Sequence, residues 1–152
     1  MNITHATPAI ARAQASWIVG IEPWRGLGYS AVPLGRYLGR MAKERDVSIA
    51  KSVERGAPPL GLVVVQDGFL LGGFVSLLAV RPEVAGQGVG RALIEHVAAR
   101  VFARRPWLFV SCDSANTRAL AFYRKLGFAR VGRLPDLIKP KRVELLLRRG
   151  RP

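Results

Sequence analysis

Cysteine, histidine and acid are what this chain of 152 residues has least of: one Cys, two His, and ten Asp or Glu against 24 Lys or Arg. The lone thiol, Cys112, excludes an internal disulfide and suits a reducing cytoplasm, which is the compartment expected here. A nucleophilic cysteine would want a His partner, and only His5 and His96 exist; inside the apolar run Trp107 to Cys112 the thiol reads as a small core residue. No Cys, His or carboxylate cluster has metal-ligand spacing, so no metal is expected. The longest apolar run, Phe69 to Val80, spans 12 residues with two glycines, too short for a bilayer. The first residues lack a basic stretch followed by an apolar core, so no signal peptide is expected.

The scarcity of acid is uneven. Residues 1–80 carry 8 − 5 = +3 and residues 81–152 carry 16 − 5 = +11, which sum to the formal +14. Such an excess fits an anionic ligand, a nucleic-acid surface, or an arginine-rich proteome equally well. Nearly half the residues are hydrophobic and 22% are charged, the balance of an ordinary globular chain, and the length suits one domain over 1–152.

Against that background one stretch stands out. The apolar run ending at Val80 leads into Arg-Pro-Glu-Val-Ala-Gly-Gln-Gly-Val-Gly-Arg91, and an amphipathic segment follows from Ala92 to Phe102. A strand therefore feeds a glycine-rich loop and the loop feeds a helix. Gly86, Gly88 and Gly90 leave backbone N–H groups uncovered, and the helix start adds its own unpaired amides and the positive end of its dipole. Such a junction binds phosphate with main-chain atoms alone, and Arg91 is placed to add a charged contact. The alternative is a turn that only packs a helix on a sheet. Two better-known nucleotide motifs are excluded by spacing: Gly-x-Gly-x-Gly is not Gly-x-Gly-x-x-Gly, and Gly-Arg-Ala is not Gly-Lys-Ser or Gly-Lys-Thr.

Taken in order, residues 2–6 read as a strand and Pro8 opens a helix up to about Gly20. A loop rich in Pro, Gly and aromatics runs from Ile21 to Ser30, with Trp24 read as core and Tyr29 as either core or pocket lining. A second helix follows over about 32–45. Val47 to Val53 alternates as a half-exposed strand, and Gly61 to Gln66 reads as a buried one. Asp67-Gly68 is a hairpin signal into the strand 70–80. After the glycine loop and its helix come a buried strand (107–112), a helix from Ala115 to Leu126 capped by Asp113 or Ser114, with Gly127 ending it, and two strands over 128–134 and 143–149. The order β-α-α-β-β-β-α-β-α-β-β predicts an α/β fold with a mixed sheet. On the helix before Gly127, Asn116 and Tyr123 lie two turns apart on one side. Tyr123 is a candidate proton donor or else a surface-grazing aromatic.

The two motifs together, Leu78-Ala-Val-Arg-Pro…Gly86-Gln-Gly-Val-Gly-Arg91 and Asn116…Phe122-Tyr…Leu126-Gly-Phe128, resemble the GNAT family of acetyl-CoA-dependent N-acetyltransferases over roughly residues 60–150. The resemblance implies a largely antiparallel mixed sheet flanked by helices, with acetyl-CoA as co-substrate. Leu78, Ala79 and Val80 would offer main-chain groups to the pantetheine arm. Gly86, Gln87, Gly88, Val89, Gly90 and Arg91 would hold the pyrophosphate. Asn116 would bond the pantetheine or nearby backbone, and Tyr123 would protonate the departing thiolate. Direct attack by a primary amine needs no nucleophilic Cys.

Two departures follow from the same comparison. Ala85 stands where the family has Arg or Gln, a role that Arg91 or Arg81 would take over. Ser111 stands where relatives that acetylate protein N-termini have a catalytic Glu. The general base is then Glu22, Asp113 or a water relay, with Glu22 preferred because its loop would face the acceptor. The acceptor is a small-molecule or protein amine, no membrane partner is expected, and a homodimer is compatible. The alternative is a basic nucleic-acid-associated or non-catalytic acyl-CoA-binding module of the same fold, with nucleic acid the less favoured partner.

Overall fold

A computed structural model describes every residue from Met1 to Pro152. The strands are β1 (Asn2–His5), β2 (Val47–Lys51), β3 (Gly61–Phe69), β4 (Gly72–Val80), β5 (Trp107–Asp113), β6 (Ala129–Pro135) and β7 (Val143–Gly150). The helices are α1 (Pro8–Ala13), α2 (Ala15–Ile18), α3 (Ala31–Lys43), α4 (Val89–Phe102) and α5 (Thr117–Lys125). One sheet has the order β1-β2-β3-β4-β5-β7-β6. The ladders β1–β2, β2–β3, β5–β7 and β6–β7 are antiparallel and β4–β5 is parallel, so the sheet is mixed and largely antiparallel, as expected. The chain forms two compact units, residues 1–65 with 77–96, and residues 66–76 with 97–152.

In the first unit α1 begins where Thr7 accepts a hydrogen bond from the Ile10 amide at 3.2 Å and Pro8 takes the first turn, where its missing N–H costs nothing. The helix expected from Pro8 to Gly20 is two short ones. Gln14 sits at the joint, donating to the Ile10 carbonyl and accepting from the Trp17 indole, both at 2.9 Å. Ala11, Ala15 and Ile18 pack with Leu34 and Leu38 of α3 over Val47, Ile49, Leu62, Val64, Leu77 and Ala79. Trp24 packs against this core, as expected, while Tyr29 is exposed. Strand β2 is shorter and more enclosed than its alternation predicts: Val47 to Ala50 are all buried because β1 and β3 flank it.

Gly61 shows why a glycine begins β3. A Cβ there would lie 2.7 Å from the Ala79 carbonyl oxygen and 3.3 Å from Leu93, so only glycine lets these backbones approach.

In the second unit the hairpin turn lies away from Asp67-Gly68. Strand β3 continues through both residues, and the chain reverses at Leu70-Leu71, whose φ values are 45° and 62°. Long-range contacts override the local turn signal. Asp67 is held by Arg105 at 3.1 Å, and Phe69 must stay in the strand to stack on Phe74 and Phe109, 5.0 and 5.1 Å away. Strand β4 pairs with β5 over Gly72–Val75 and Trp107–Val110, and β5 continues to Asp113 against β7. Helix α5 starts two residues later than expected, with Asn116 rather than Asp113 or Ser114 as its cap. It ends as expected: Gly127 has φ +89°, and the Phe128 amide donates to the Tyr123 carbonyl at 3.1 Å.

Candidate active site

The first unit holds the end of β4 and the glycine loop. Ala79 is buried, with Leu78 and Val80 half-buried on either side of it. Past Val80 a short 3-10 turn, Pro82–Val84, delivers the chain to Gly86 and Gly88 at φ +76° and +85°. An added Cβ at either glycine would meet nothing within 4 Å. These two glycines are therefore required by backbone conformation, and their outer surface is open to a ligand. The Gly88 carbonyl accepts the first helical hydrogen bond of α4, from the Ala92 amide at 3.0 Å. The amides of Val89, Gly90 and Arg91 thus precede the intrahelical ladder and, with the helix dipole, form a cradle for an anion.

Three details of the expected loop change. Gly90 lies in the first turn of α4, not in the loop. The Gln87 amide closes the turn onto the Val84 carbonyl at 3.3 Å, so it is not one of the free donors. Arg81 is committed elsewhere: its Nε donates to the Pro59 carbonyl at 2.7 Å and its guanidinium stacks on Trp17 at 4.7 Å. Arg91, exposed on the first turn of α4, remains the basic side chain suited to supplement the cradle.

Glu22, the preferred base, is instead a loop clamp. Its Oε1 accepts from Arg25 Nε at 3.0 Å and its Oε2 from the Gly26 amide at 3.1 Å. Both side chains of the ion pair are more than half exposed. Each carboxylate oxygen accepts one hydrogen bond from residues 25–26, so the side chain is held against its own loop.

The second unit holds the other candidates. Asn116 uses Oδ1 to cap α5, accepting from the Ala119 amide at 3.1 Å. Its amide –NH2 is thereby aimed by the fold and left to donate. Two turns on, Tyr123 is buried among Phe122 and Phe128, whose rings lie 5.0 and 5.5 Å away. Burial, with a smaller contribution from Cys112, pushes the phenol pKa above its ordinary value, so it stays protonated. The reading of Tyr123 as a surface-grazing aromatic is therefore wrong. Cys112 itself is buried, and desolvation, then Glu144 and Asp113, push its thiol up to about 11. That makes it inert as a nucleophile at neutral pH.

Asp113 is also fully engaged. Its Oδ1 accepts from the Ala115 amide at 2.8 Å, and its Oδ2 from Arg142 Nε and Nη2 at 2.9 and 2.8 Å. The Ala115 amide and then Arg142 hold its pKa below the ordinary carboxylate range. Glu144, cross-strand from Asp113, differs: desolvation and the Asp113 charge raise its pKa. Sequence reasoning missed it, because nothing in Arg142-Val-Glu-Leu-Leu-Leu separates a site carboxylate from a solvent-facing one.

The match to known proteins follows this geometry. Residues 22–128 fit the model of the acetyltransferase (GNAT) family, and the chain belongs to that family. Over 91 residues it is 39% identical to a peptidyl-lysine N-acetyltransferase, YjaB, of Salmonella typhimurium, covering 55% of this chain and 60% of that protein. The chain thus matches only half to three-fifths of the length of the YjaB proteins. It is 29% identical over 126 residues to the N-alpha-acetyltransferase RimI of Mycobacterium tuberculosis, covering 80% and 72%. An aminoglycoside 6'-N-acetyltransferase crystallised with coenzyme A shares the fold, with a TM-score of 0.78 at 14% identity over 99% of this chain and 97% of that one.

Proposed function

We propose that residues 1–152 form one N-acetyltransferase domain that moves the acetyl group of acetyl-CoA to a primary amine by direct attack, in a cytoplasmic setting. The observation that carries this reading is the open pair of left-handed glycines, Gly86 and Gly88, at the start of α4. Its unfilled Cβ positions and free amides fit a diphosphate. In this reading Gly86, Gly88, Val89, Gly90 and Arg91 hold the diphosphate, and Leu78 to Val80 offer main-chain groups to the pantetheine arm. Asn116 donates its amide –NH2 to the same arm, and Tyr123 gives its proton to the sulfur as it leaves. Acetyl-CoA supplies the activated acyl group; every other task falls to these residues.

The acceptor we favour is an amine on a peptide. The names of the two relatives, one acting on peptidyl lysine and one on N-terminal amines, support that choice. A nucleic-acid-associated module explains the positive charge but not a tyrosine buried two turns along a helix from its capping asparagine. Release of free coenzyme A from acetyl-CoA with lysine-bearing and free-N-terminus peptides tests the proposal. Turnover with at least one class is expected, and Tyr123→Phe should lower kcat by about 10²-fold or more. Absence of turnover with every amine, together with no binding of acetyl-CoA, would refute it.

A further inference from the structure

The transferase reading needs a group to receive the proton of the attacking amine, and the two carboxylates the sequence offers, Glu22 and Asp113, have both oxygens occupied. We propose that Glu144 on β7 is that group, placed on the sheet face of Ser111 by the β5–β7 register; this rests on the transferase reading above.

The register is the argument. Ser111 pairs with Leu146, Cys112 with Leu145 and Asp113 with Glu144. Side chains alternate along each strand, so Glu144, Leu146 and Arg148 share one face with Ser111 and Phe109, while Leu145 and Leu147 face the side covered by α5. Leu120 and Arg124 of α5 line one cavity with Leu145 and Leu147, which fixes that side independently. Glu144 and Tyr123 therefore belong to opposite faces of the same β5 end. Both lie at the end of β5 that Asp113 closes, so a thioester lying past that strand end would be reached by the base from one face and by the phenol from the other. Glu144 is two residue pairs along the ladder from the Ser111–Leu146 pair, and so the next side chain of β7 on that face. A carboxylate on the neighbouring strand reaches the same region of the face.

The surroundings of Glu144 suit the task. Its carboxylate is half-buried and has neither a hydrogen bond nor an ion pair with the protein. The charged or titratable groups around it are Asp113 and Cys112 on β5 and Arg142 in the preceding loop. Asp113 opposes its charge, while Arg142 favours that charge but has its Nε and Nη2 on Asp113. Desolvation raises its proton affinity above that of an ordinary Glu, which makes it a better base than a solvated one. In the step itself Glu144 takes one N–H proton as the nitrogen bonds the acyl carbon. The carbon–sulfur bond breaks, and Tyr123 gives its proton to the sulfur. Glu144 then returns its proton to water and the tyrosinate takes one back, so the protons balance.

Glu144→Gln tests the assignment by rate and by stability. A carboxylate whose folded pKa is raised weakens the fold as pH rises through that pKa. The neutral isostere should therefore melt higher than wild type at pH 7, with the advantage vanishing on acidification below the ordinary Glu range. Its kcat should fall by about 10²-fold or more, and the pH profile of kcat/KM should lose the extra slope that Glu144 adds at acidic pH, keeping only the limb set by ionisation of the amine. The melting shift given by acetyl-CoA should be unchanged, and Glu144→Asp should recover part of the rate. A Gln variant that keeps kcat within about threefold, keeps the wild-type slope of kcat/KM at acidic pH, or melts lower than wild type at pH 7 would overturn the proposal. Loss of the acetyl-CoA shift in wild type itself would instead mark failure of the transferase reading.

Discussion

Replacing Gly88 separates the fold from the diphosphate cradle more cleanly than any other change. The residue sits at φ +85° with open space where a Cβ would be, so Gly88→Ala adds backbone strain and no clash. Left-handed backbone costs an L-residue about 1–2 kcal/mol. For a chain of this length each kcal/mol moves Tm by about 2–4 °C, which predicts a drop of about 2–8 °C without ligand. Gly88→Glu carries the same strain and adds a negative charge at the cradle. A carboxylate about 5 Å from one diphosphate charge, at an effective dielectric of about 20, is repelled by roughly 3 kcal/mol. That weakens binding more than about 100-fold. The assay is thermal unfolding with and without acetyl-CoA at about 100 times the wild-type Kd, where linkage stabilises wild type by about 2.7 kcal/mol. The Glu variant at the same concentration would be near its own Kd and gain only about 0.4 kcal/mol, a shift of about 1 °C. A full-sized ligand shift in Gly88→Glu would show that coenzyme A does not use this loop, and the site assignment would fail with it.

Three other outcomes follow from particular contacts. Leu70 and Leu71 occupy a two-residue turn at positive φ with their side chains mostly exposed, so Leu70→Asn with Leu71→Gly should raise stability by about 1–2 kcal/mol in urea unfolding; a loss would place the turn elsewhere. Cys112, with its thiol pushed up to about 11, should react with iodoacetamide at pH 8 at least about tenfold more slowly than a free thiol, and rapid labelling of the folded protein would contradict its burial. Arg142→Met should cost up to about 1 kcal/mol at pH 7 by removing the partner of Asp113. Asp113 has a depressed folded pKa, so the stability it contributes exists above the ordinary Asp range and is lost as pH falls through the folded value. Urea midpoints of wild type and variant should therefore draw together as pH falls below the ordinary Asp range, and a gap that does not narrow on acidification would mean Arg142 acts through packing instead.

Read alone, the chain determined whatever depends on near neighbours. Gly86 and Gly88 before an amphipathic run, Gly127 after one, Pro8 at a helix start and the order of the seven strands are local consequences of backbone sterics and periodicity, and all of them hold in the fold; only the first expected helix divides in two. Tertiary structure decided what depends on distant partners. Asp67-Gly68 is a hairpin signal by itself, yet Arg105 and the Phe69 stack keep both residues in the strand and drive the turn onto two leucines. Glu22 and Asp113 look like free carboxylates until Arg25, Gly26, Ala115 and Arg142 close on them. Glu144 becomes distinctive only once the antiparallel register sets it opposite Asp113, 31 residues earlier in the chain, because a side chain's solvation and charge environment are properties of the folded surface and not of its sequence neighbours.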